Sequence, residues 1–86
     1  MNINDLIAIV KKKLNEKIVI EKINIEDKSY LHKNHSGHQE GKFHLKLTIN
    51  SIELKKLNKI DSNRRIFKVL SQEVKEYIHS LQILIS

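Results

Sequence analysis

Five histidines and no cysteine set the limits of the chemistry this chain can do. His32, His35 and His38 recur at every third residue, His44 follows shortly after, and His79 stands alone near the other end. Neutral imidazole is a borderline ligand that suits zinc, nickel, copper and iron. On spacing alone, the cluster reads as a histidine-rich zinc or nickel carrier, or as a solvated polar loop. Without a thiol the chain has no disulfide framework, no thiolate metal site and no cysteine nucleophile. Any sulfur ligand must therefore come from a partner. No Ser-His-Asp order, Gly-rich phosphate loop or paired acidic cleft can be traced, and a chain this small leaves little room for a water-excluding pocket. An enzyme is not expected.

A second set of residues is basic. The formal net charge is +6, and Arg64, Arg65 and Lys68 lie close together, as a contact with phosphates would require. Of the 16 basic residues, however, only Arg64 and Arg65 are arginine; the rest are lysines of the kind that simply solvate a surface. Base stacking could come only from Tyr30, Phe43, Phe67 and Tyr77, and Phe43 and Tyr77 read as core residues. Nucleic-acid binding is expected to be weak and electrostatic.

These residues need elements to position them, and 86 residues provide for one domain, 1–86, with one core. Asn4 reads as the cap of a first helix over 4–14, with Leu6, Val10 and Leu14 on one face. Ile18–Ile25 is rich in β-branched residues and reads as a strand, bulged where the period-two phase shifts. Residues 27–41 hold both glycines and three of the histidines, and form a loop. Phe43, Leu45, Leu47 and Ile49 then alternate with polar residues, as on a half-buried strand. A brief helical turn follows within 52–60. Asp61 or Ser62 caps a longer helix down to about residue 78, striped by Ile66, Leu70, Val74 and Tyr77. His79–Ile85 closes the chain as a third strand. The apolar run Leu6–Val10 is too short to span a bilayer, and the lysines of 11–13 follow it where a secretory signal would place them first. No membrane contact and a cytoplasmic location are expected.

This α-β-β-α-α-β order, together with short motifs at its junctions, resembles the BolA family over nearly the whole chain. Asp27-Lys28-Ser29 corresponds to the family's acidic-Glu-Ser segment before a histidine-containing loop. His44-Leu45 corresponds to a His-Phe pair opening the second strand, and Ile78-His79-Ser80-Leu81 to an Ile-His-Ala-Leu motif near the end. Ser62-Asn63-Arg64 stands where the family has Arg-His-Arg, so most of that basic helix start is missing.

The resemblance implies an α+β fold similar to the class II KH domain, with a three-stranded sheet and helices on one face. It also implies a partner, a monothiol glutaredoxin, and a shared [2Fe-2S] cluster. Partner and glutathione would supply sulfur while this chain supplies imidazole, and the chain alone would hold no cofactor. His79 is the first ligand expected by this correspondence, then His32 and His35 from the loop; His38 has the weakest correspondence. His44 is opposite in phase to the apolar set of its strand and reads as a structural hydrogen-bonding residue. The KH backbone clamp, a Gly-x-x-Gly loop, has no counterpart, since no glycine follows Gly41. Homodimer formation is left open.

Overall fold

The computed structural model describes residues 1–29 and 42–86. Helix α1 spans Ile3–Lys17, and its cap is Asn2, whose side chain accepts the Asp5 N–H at 2.8 Å. The expected cap, Asn4, lies inside the helix. At the other end the Ile18 N–H still bonds to the Leu14 carbonyl at 2.9 Å, so Ile18 finishes the helix instead of opening a strand. Strand β1 is Lys22–Asp27. The phase shift between Ile18/Ile20 and Ile23/Ile25 is thus the passage from helix to strand, not a bulge.

Strand β2, Phe43–Asn50, pairs antiparallel with β1, with Lys22 opposite Asn50 and Asp27 opposite Leu45. The Ser51 hydroxyl accepts the Leu54 N–H at 3.1 Å and so caps the short helix α2, Ile52–Lys55. The same hydroxyl donates to the Val19 carbonyl at 2.7 Å, which ties the α1–β1 connection to the start of α2. Ser51 is fully buried and both roles leave it satisfied.

The long helix expected over 61–78 is two helices: α3, Lys59–Val69, and α4, Ser71–Glu76. Leu70 separates them at φ −99° and ψ 19°. The cap of α3 is Asn58, which accepts the Asp61 N–H at 2.8 Å, so neither Asp61 nor Ser62 has that role. The apolar stripe continues across the break because both pieces pack on the same core.

Strand β3, Ile78–Ile85, runs parallel to β2, giving a three-stranded mixed sheet in the order β1-β2-β3. The order of elements is the expected one, with the second long helix divided. Leu6, Val10 and Leu14 of α1 meet Leu45, Leu47 and Ile49 of β2, and Leu54, Ile66, Leu70 and Ile78 complete the buried cluster. Each such side chain contributes roughly 1.5–3 kcal/mol by leaving water. The helices cover this face, and the other face carries Asn24, Lys46, Thr48 and Gln82. Among the described residues no helix is long and apolar enough to cross a membrane.

Candidate functional site

The junction of α4 and β3 delivers His79 to the open face of the sheet. Phe43 pairs with Ile78, but the next residue of β2, His44, pairs with Ser80, so His79 is an extra residue in β3. Such a bulge re-aims side chains at the edge of a sheet. Here it leaves Ile78 buried and both His79 and Ser80 exposed before alternation resumes at Leu81. The His79 ring stands 4.9 Å from that of His44, centroid to centroid, tilted by 56°.

His44 is only 5% exposed although it lies on the face away from the core. A hydrogen bond of 2.6 Å joins its Nδ1 to the Ser80 hydroxyl. Its backbone is held as well: the His44 N–H donates to Ser29 Oγ at 3.0 Å and its carbonyl accepts the Lys28 N–H at 2.7 Å. Asp27 in turn accepts the Ser29 N–H at 2.9 Å. The Asp27-Lys28-Ser29 segment therefore wraps the start of β2, and a fixed, hydrogen-bonded His44 lies beside an exposed His79. This is the structural role that the strand phase gave to His44.

The support below His79 is also fixed. Helix α4, which leads into the site, is pinned to α1 by an ion pair of 2.5 Å between Lys13 Nζ and Glu73 Oε2. Glu73 is buried, and its other oxygen has no hydrogen-bond donor among the described residues. Sequence reasoning missed this pair. Its only signal was the position of Glu73, three residues after Leu70 and four before Tyr77, on the side of the helix that carries the apolar stripe.

His32, His35 and His38 lie outside the described residues. Among the described residues no group of three His, Cys, Asp or Glu side chains could hold a metal. What the site does offer is one exposed imidazole on a rigid strand, with a second imidazole in van der Waals range but engaged at Nδ1. That donor set fits a cluster whose other ligands come from elsewhere; it does not fit a self-contained one.

The basic residues divide. Arg65 and Lys68 line an open cleft of about 660 Å³ between α1 and α3, together with Lys13 and Lys17 and with Glu16 as the only acid among the described residues. Arg65 also reaches the Lys17 carbonyl and Glu53, each at 3.3 Å. Arg64 does not line this cleft and approaches Asp61 at 3.8 Å.

These features define a class: a small α+β domain that displays imidazole from a bulged strand and has no thiolate of its own. A profile of the BolA-like protein family matches residues 14–86. The DNA-binding transcriptional regulator BolA of Haemophilus influenzae is 28% identical over 75 residues, covering 87% of this chain and 70% of that protein. Among solved structures, the BolA domain of SufE1 from Arabidopsis thaliana superposes with a TM-score of 0.77 at 26% identity, covering 92% of this chain and 87% of that one. BolA1 from the same plant matches at a TM-score of 0.77 and 24% identity over 93% of this chain and 88% of its own, a likeness of fold. The chain belongs to the BolA family.

Proposed function

We propose that this BolA-family protein supplies imidazole ligation to a [2Fe-2S] cluster that it shares with a monothiol glutaredoxin and glutathione, in cluster trafficking or iron-linked regulation. The observation that carries the reading is the exposed His79 on its bulge, backed by the anchored His44, in a chain with no cysteine. When bound, the cluster would supply the redox or transfer chemistry. The chain's own part is to hold the His79 ring at the strand start, and His32 or His35 is the second ligand from the loop. A ligand on a rigid element loses little freedom on binding, and replacing sulfur by neutral imidazole raises a cluster's potential.

The test is the visible absorption and circular dichroism of a glutathione-loaded, cluster-bearing monothiol glutaredoxin before and after this protein is added. The spectrum is expected to change with the wild type and to stay unchanged with His79→Ala. With His32→Ala it should change less, and less again with the His32/His35 double variant. The protein alone, treated with iron and sulfide, should remain colourless after desalting. A folded His79→Ala protein that still alters the spectrum removes His79 as a ligand.

A second reading, a weak nucleic-acid-binding module or transcriptional regulator, is favoured by the basic cleft of Lys13, Lys17, Arg65 and Lys68 and by the likeness to the Haemophilus DNA-binding transcriptional regulator. Lysine-rich clefts bind phosphates without reading sequence.

A further inference from the structure

The end of β3 farthest from His79 carries a second feature that the cluster reading does not use. β3 is an edge strand. The Ser86 N–H donates to the Ile49 carbonyl and the Ser86 carbonyl accepts the Ser51 N–H, so the even-numbered residues at this end of β3 turn their backbone groups toward β2. By the alternation of a strand, Leu81, Ile83 and Ile85 present theirs outward, and no described residue pairs with them. Along this edge runs a groove of about 400 Å³ with apolar walls from Leu54, Leu57, Ile83 and Ile85. Lys55 and Lys59 stand on its rim, neither engaged in an ion pair, and no described acidic residue lines it.

We propose that this edge and groove take an extended segment of a partner protein, apolar at alternate residues and flanked by carboxylates, which adds to the sheet as a fourth strand. The backbone of such a segment would pair with Leu81, Ile83 and Ile85, every second side chain would enter the groove, and its acids would meet Lys55 and Lys59. The charge pattern favours this occupant over a second copy of the chain. The strand that a second copy would bring, 78–86, has no acidic side chain, and it comes with two more rim lysines and a net charge of +6. The lining and the open edge favour protein over single-stranded nucleic acid. No described aromatic side chain lines the groove for a base to stack on, whereas an open strand edge pairs with peptide groups.

The test uses the full chain without iron, sulfide or glutathione, so that its failure is separate from any failure of the cluster reading. The probe is a fluorescein-labelled peptide of alternating valine and threonine with two aspartates at each end. Controls are the same peptide with lysines at the ends and an oligothymidylate of equal length. The acidic peptide should bind saturably, and the Leu81, Ile83 and Ile85 amides should gain protection from hydrogen exchange. Lys55→Glu with Lys59→Glu should weaken binding about tenfold or more. Ile83→Pro, which removes an outward N–H but leaves the β2–β3 ladder, should abolish it. Binding of the lysine peptide as tight as that of the acidic one, binding that leaves the three amides unprotected, or occupation of the edge by oligothymidylate or by a second copy in sedimentation would each overturn the proposal.

Discussion

Ser80 is where the two described imidazoles are organised. Its hydroxyl holds His44 Nδ1, and His44 in turn backs the ring of His79. Ser80→Ala is therefore expected to lower stability by about 1 kcal/mol, the usual cost of leaving a buried ring nitrogen without its partner. Urea unfolding of the two proteins measures this, and an unchanged midpoint would show the bond to be idle. The core-facing side of β3 was legible in the sequence at Leu81, Ile83 and Ile85, which alternate with more exposed residues. The placement of His79 was not legible at the same resolution. A bulge is defined by the count of residues on two strands at once, and nothing in Ile78-His79-Ser80 alone shows that β2 advances by one residue while β3 advances by two. The opposite phase of His44 to Phe43 and Leu45 did give its hydrogen-bonding role; its partners Ser29 and Ser80 are distant in sequence and could not be read from that phase.

At the scale of elements, the same reasoning succeeds wherever one period holds without interruption. β2 was read from Phe43 to Asn50 because each apolar residue there faces α1 and each polar one faces away. Helix starts were misplaced by two to four residues, since Asn2, Asn4 and Asp5, and again Asn58, Asp61 and Ser62, offer several capping side chains close together. Packing chooses among them. The break at Leu70 was invisible for the opposite reason: Ile66, Leu70 and Val74 keep helical spacing through it. α4 depends on a contact that periodicity cannot express, the Lys13–Glu73 pair across α1. Lys13→Met would leave the Glu73 carboxylate buried without a counter-charge and should cost about 2 kcal/mol, less than a fully buried pair because Lys13 is a third exposed. Lys13→Met with Glu73→Met should recover most of that loss. Denaturation of both variants decides it, and equal losses in the single and double variants would mean that the ion pair is not what matters.

For the molecule as a whole, the surplus positive charge is unevenly arranged. The α1–α3 cleft gathers Lys13, Lys17, Arg65 and Lys68, and Arg64 stands apart by Asp61. Binding to a DNA or RNA duplex should accordingly fall steeply with salt, in proportion to the few phosphates neutralised, and show little dependence on base sequence. Arg65→Ala with Lys68→Ala should weaken it, and Arg64→Ala should change it less. Fluorescence titrations at several salt concentrations give these slopes, and sequence-selective binding that persists at physiological salt would raise the regulator reading above the cluster reading.

The parallel pairing of β2 with β3 has one more consequence, for the order in which the protein comes into being. Antiparallel β1 and β2 can pair early during synthesis, but β3 reaches β2 only after α2, α3 and α4 have been made, and pairings so distant along the chain form late. His79 belongs to that last strand. A nascent or half-folded chain thus has no bulge on which to display it, and the presentation of that imidazole becomes a property that the protein acquires only on completing its sheet.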